Sequence, residues 1–100
     1  MNTKPTIRFE LGQVVSTPGA LEALQRNKIN GIEFLHRHAS GDWGIVCEAD
    51  KLANEVALKT GARLLSAYFL SDETKLWIIT DAADDQGRRR VTTFLLPEDY

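Results

Sequence analysis

Three strand-like runs in succession, over residues 63–70, 75–80 and 90–96, constrain this chain more than any other feature. Each is rich in leucine, aromatic and β-branched side chains, and Ser71-Asp-Glu-Thr74 and the polar stretch 81–89 separate them. Such residues suit a pleated, half-buried surface, and short polar connections join antiparallel neighbours. Residues 62–97 therefore predict an antiparallel meander. Both of its faces are apolar: Leu64, Tyr68 and Leu70 oppose Leu65, Ala67 and Phe69, while Leu76 and Ile78 oppose Trp77 and Ile79. One face meets helices. The other is too apolar to stand bare, so an N-terminal strand and arm, or a partner, is expected over it.

Helical signals precede the meander. Thr17-Pro18 is a start: Thr17 can cap, and the missing N–H of Pro18 costs nothing at the first helical position. Ala20, Leu21, Ala23 and Leu24 form its apolar stripe, and Asn27 and Lys28 end it. Asn30 and Glu33 are spaced like a capping box and predict a second helix, stopped by Ser40-Gly41. A third runs from Glu48 or Asp50 to Thr60, with Gly61 placed to terminate it. The segment from Glu10 to Ser16 predicts a short strand. The fold class is thus α+β: two or three short helices packed on a three- to four-stranded, mainly antiparallel meander sheet. Residues 1–9 read as a flexible N-terminal arm and residues 10–100 as one domain.

Composition narrows the function classes. Twelve basic and fourteen acidic residues give a formal charge of −2, which argues against a general nucleic-acid binder relying on many phosphate contacts. The single cysteine, Cys47, forms no internal disulfide and suits a reducing cytoplasm. No apolar run reaches the length of a membrane span or a secretion signal, so a cytoplasmic location is expected.

The chemistry-bearing residues are few. His36 and His38 are the two histidines; on a helix they point about 200° apart and do not share a metal. They read as one packed and one surface histidine, with a general base as the sharper alternative. Asp42, in Ser40-Gly-Asp-Trp-Gly44, reads first as a turn-capping carboxylate. Cys47 lies at the start of the third helix without an evident activating partner. Arg88, Arg89 and Arg90 are the one basic run; they can contact phosphates, or pair with Asp84 and Asp85 just upstream. No phosphate-binding glycine loop, nucleophile elbow or paired metal motif is present, and neither a cofactor nor a metal is expected.

Leu11-Gly-Gln-Val-Val-Ser-Thr-Pro-Gly-Ala-Leu-Glu-Ala-Leu24, Phe34-Leu-His-Arg-His38, Ser40-Gly-Asp-Trp-Gly44, Arg63-Leu-Leu-Ser-Ala-Tyr68, Leu76-Trp-Ile-Ile-Thr80 and Thr92-Thr-Phe-Leu-Leu-Pro-Glu-Asp-Tyr100 together resemble a family of small bacterial proteins. Its members are described as plasmid-related or mobile-element proteins, sometimes as a type I restriction methylase subunit. The resemblance implies a bacterial origin and a link to horizontally transferred DNA. The Asn/Asp-Pro-Pro-aromatic motif of a methylase does not occur in these residues.

Two functional expectations follow, from different classes. The first is a non-enzymatic accessory protein of a mobile element, acting through a protein partner or self-association on the uncovered sheet face, with Trp77, Ile79, Phe94 and the arginines 88–90 as contact residues. The second is a small endoribonuclease toxin. Helices followed by a meander are similar to the barnase/RelE-like architecture, and that analogy casts His36, His38, Arg90, Thr92 and Tyr100 as the acid-base and cationic groups. A weak nucleic-acid-binding module built on the arginines is a further alternative.

Overall fold

In a computed structural model of the protein, which describes residues 6–100, the chain runs through β1 (Gln13–Ser16), α1 (Pro18–Arg26), α2 (Ile32–Ala39), α3 (Glu48–Thr60), β2 (Leu64–Phe69), β3 (Lys75–Thr80) and β4 (Val91–Leu95). A 3-10 turn, Pro97–Asp99, follows. The class is α+β, with three helices and a four-stranded sheet in the order β1-β4-β3-β2. The β2–β3 and β3–β4 pairs are antiparallel, as the meander predicts. The β1–β4 pair is parallel, so the sheet is mixed. Parallel neighbours need a long connection, and here all three helices and two strands lie between them.

Local chemistry explains the helix ends. The Thr17 hydroxyl accepts from the Ala20 N–H at 3.1 Å, and Pro18 opens α1. The predicted capping box of α2 does not form. Asn30 instead accepts from the Ile32 N–H at 3.0 Å, and Gly31 takes the cap position with φ of 84°, so α2 starts at Ile32. Gly31 is required there twice over: its backbone is left-handed, and a Cβ would lie 2.8 Å from the Phe94 ring. Gly61 ends α3 at φ 85°, as expected.

Strand alternation divides the sheet. Leu64, Ser66, Tyr68, Leu70, Leu76, Ile78, Thr80, Thr92 and Phe94 are all buried on the helix side. Ala20, Ala23 and Leu24 of α1 join Tyr68, Leu70, Leu76, Ile78 and Phe94 in the main core, with Phe34 and Leu35 of α2 packed against them. A second cluster, Trp43, Ala57 and Leu64, takes in Phe9. Phe9 meets the His38 ring edge-on at 5.1 Å and stacks on Trp43 at 6.1 Å, and the Arg8 N–H bonds to the Ala39 carbonyl at 2.8 Å. Arg8 and Phe9, which the sequence assigns to an arm, pack onto the body, because Phe9 completes an aromatic cluster; residues 1–5 of that arm lie outside the described residues. Nor does β1 cover the second sheet face. It extends the sheet sideways. Among the described residues, no helix is long and apolar enough to cross a membrane.

Candidate functional site

The face away from the helices is built row by row. Val15, Thr93, Ile79 and Leu65 align across all four strands, and the next row places Trp77 between Leu95 and Ala67. Leu95 and Ala67 are buried beside Trp77, whereas Phe69, further along β2, is 56% exposed. The chain end returns to this face. The Thr17 hydroxyl donates to Asp99 at 2.6 Å, and Asp99 also accepts from the Leu96 N–H at 3.0 Å, which holds the 3-10 turn. These two bonds lower the Asp99 pKa, Thr17 contributing most. The turn brings the Tyr100 ring against Trp77, edge-on at 5.8 Å, while Tyr100 stays 72% exposed. The Arg63 guanidinium lies 5.7 Å from the Tyr100 ring, and the Lys75 ammonium 5.9 Å from Phe69. The result is a half-wet aromatic and aliphatic surface with two cations. It can bind by area and shape, with the cations selecting acidic neighbours.

The residues cast as an endoribonuclease site do not share a cleft. His36 is exposed on α2. His38 is fully buried, bonded through Nδ1 to the Ser66 hydroxyl at 2.5 Å and through Nε2 to the Thr80 hydroxyl at 2.9 Å. Thr80 bonds to Thr92 at 2.7 Å, and Thr92 donates to the Leu11 carbonyl at 2.7 Å. A carbonyl only accepts, so each proton along this line is assigned in turn. Thr92 spends its proton on Leu11 and accepts from Thr80; Thr80 accepts from Nε2–H; Nδ1 accepts from Ser66. The histidine is thereby held neutral with its proton on Nε2. Burial, with the Arg89 charge adding to it, pushes the His38 pKa down to about 3. His38 and Thr92 do meet, but inside the core, where no substrate reaches them. Tyr100 lies on the opposite face of the sheet, and Arg90 is held outside by Asp84 at 2.6 Å.

The three consecutive arginines have three different fates. Arg88 pairs with Glu10 at 3.0 Å, lowering the Glu10 pKa. Arg90 and the Arg88 N–H both bond Asp84, whose pKa is held down to about 2, the backbone bond from Arg88 being the larger cause. Arg89 is 7% exposed and donates to the carbonyls of Ala57, Ala62 and Asp81 at 3.0, 2.7 and 3.0 Å, joining the end of α3 to both sheet loops. Arg89 is thus a structural brace, because its alternation on the strand approach turns it under the core. Phe94 is likewise corrected: it is buried on the helix side, one residue out of phase with the open face.

Asp42 is a turn residue. Its carboxylate accepts from Arg37 at 2.7 Å and from the Gly44 N–H at 3.3 Å, and its pKa is lowered chiefly by Arg37. Its carbonyl accepts the Tyr68 hydroxyl at 2.6 Å, and burial pushes the Tyr68 pKa up to about 12. Cys47 is an exposed N-cap to α3. Among the described residues, no three His, Cys, Asp or Glu side chains are grouped to hold a metal. The sequence does not show Tyr100 as a member of the open face or Asn54 as the α3 residue that bonds the β2 edge; the first is signalled by Pro97, which can turn the tail back, and the second has no linear signal. No family model, curated protein or solved structure matches the chain.

Proposed function

We propose that the protein is a non-enzymatic binding module that works in the cytoplasm as an accessory protein of a bacterial mobile genetic element, with the open sheet face docking onto another protein. The observation that carries this reading is the Trp77–Tyr100 pair, seated with Ile79, Leu65 and Phe69 on a face that no helix covers. The resemblance of the sequence to mobile-element proteins supports the biological setting. The expected partner surface is apolar and bordered by carboxylates, to match Arg63 and Lys75 at opposite ends of the patch. The burial of His38 in a fully bonded line, and the pairing of Arg88 and Arg90 with carboxylates, favour this reading over an endoribonuclease or an arginine-based nucleic-acid binder.

The test is a photo-crosslinking side chain placed at Ile79 and, as a control, at His36, in cells carrying the mobile element. The reading expects one discrete protein adduct from position 79, lost when Trp77→Ala is added, and none from position 36. Equal labelling from both positions would overturn it. So would RNA cleavage by the purified protein that is lost in His36→Ala or Arg90→Ala.

A further inference from the structure

The two edges of the sheet are treated differently. On the β2 edge, the Leu65 N–H and C=O are both taken by the Asn54 side chain, at 3.1 and 2.7 Å. The Ala67 N–H bonds to the Trp43 carbonyl at 3.1 Å, and the Ala67 carbonyl accepts from the Ile45 N–H at 2.8 Å. That edge is closed over Leu65 and Ala67, and only Phe69 at its end is left open. On the β1 edge, Gln13 and Thr17 donate inward to Arg90 and Phe94 of the β4 side, at 2.8 and 2.9 Å. Alternation then turns the N–H and C=O of Val14 and Ser16 outward. No described residue hydrogen-bonds to those four groups. The strand is protected only by its shortness, four residues: Gln13-Val-Val-Ser16 contains no charge and no proline, and Val14 and Val15 are 41% and 38% exposed.

We infer that β1 is a self-pairing edge, and that a second copy of this chain adds to it in antiparallel register about a two-fold axis through Val15. The geometry is self-complementary. The outward residues, Val14 and Ser16, flank Val15 symmetrically, so the two-fold places Val14 of one copy opposite Ser16 of the other, twice. Both are hydrogen-bonded pairs, giving four backbone bonds, and the two Val15 side chains meet as a close non-bonded pair. The axis is normal to the sheet, so the two sets of helices stay on one side. The row Val15, Thr93, Ile79, Leu65 then continues into its symmetry mate, and the two open faces merge into one surface on an eight-stranded sheet. The contact is small, so the dimer is weak and concentration-dependent.

Sedimentation of the full chain across a concentration series tests this. The wild type is expected to rise from monomer toward dimer mass. Val14→Pro removes an outward N–H while leaving the inward bonds of Gln13 and Thr17 to β4, and is expected to remain monomeric with an unchanged far-ultraviolet spectrum. Val15→Lys, which sets two like charges face to face at the axis, is expected to be monomeric too and serves if Val14→Pro does not fold. Trp77→Ala is expected to dimerise as the wild type does, whether or not the open face binds a separate protein. A wild type that stays monomeric at its highest soluble concentration would overturn the inference, as would a folded Val14→Pro or Val15→Lys variant that dimerises normally, or a dimer lost only in Trp77→Ala.

Discussion

The side-chain amide of Asn54 on α3 exchanges two hydrogen bonds with the backbone of Leu65 on β2, standing in for a neighbouring strand. Asn54 is 4% exposed, so replacing it leaves the part-buried N–H and C=O of Leu65 without partners. Asn54→Leu is expected to lower stability by about 2 kcal/mol, since leaving such groups unmet costs more than a hydrogen bond contributes when made. Urea denaturation measures the loss, and amide exchange at Leu65 should accelerate selectively.

The neutral state of His38 makes the fold sensitive to acid. In the unfolded chain an ordinary histidine takes up a proton below about pH 6.5, whereas the folded His38 resists until about pH 3. Between these limits the unfolded state binds the extra proton, so stability is full above pH 6.5 and declines as pH falls. The slope is one proton, about 1.4 kcal/mol per pH unit, giving a loss of roughly 2 kcal/mol between pH 6.5 and 5. Denaturation midpoints across that window provide the check. A folded His38→Gln variant should be less stable at pH 7 and should lose most of this slope.

Two left-handed glycines should respond unequally to the same change. Gly44 sits at φ 75°, and a Cβ there would fall 1.9 Å from the Ala67 carbonyl oxygen, while at Gly87, φ 77°, it would meet nothing within 4 Å. Gly87→Ala carries only the conformational cost, about 1 kcal/mol. Gly44→Ala must also push the Trp43–Ile45 segment off β2, and about 3 kcal/mol is expected. Thermal melts of the two variants side by side test the contrast.

Within the arginine run, the middle residue should dominate stability. Arg89→Leu strands the carbonyls of Ala62 and Asp81 and leaves that of Ala57 with the Gly61 N–H alone, and a loss of about 3 kcal/mol is expected. Arg88→Ala and Arg90→Ala break exposed ion pairs and should leave the denaturation midpoint nearly unchanged. An equal response from all three would show that the brace is not made in solution.

Much of the fold was legible because its signals are local. The meander announces itself by alternation, Thr17-Pro18 by capping chemistry, and Gly61 by its place after a helical run. What escaped was decided at long range. Whether β1 ran parallel or antiparallel to its neighbour depended on where the helices returned the chain, which no window around Val14 and Val15 contains. Asn30 and Glu33 matched a capping box in spacing, but Gly31 had to bend beneath Phe94, and that contact chose the helix start. Phe94 was assigned to the wrong face because its strand's phase is set by pairing with Ile78 rather than by its own sequence. The histidines show the same limit: spacing placed His36 and His38 on different sides of a helix, yet only the Ser66, Thr80 and Thr92 hydroxyls explain why one of them is locked in the core.

The parallel pairing of β1 with β4 also bears on how the protein is made. Of the four strands β1 is made first, and its partner is made last. Until β4 is made, then, Val14 and Val15 have no strand to join, and the helices and the β2–β3 hairpin must form around an unfinished sheet. Joining β1 to β4 is a non-local step and a slow one. A nascent chain stalled before Val91 is expected to be captured by chaperones, and emergence of β4 to be the event that frees it.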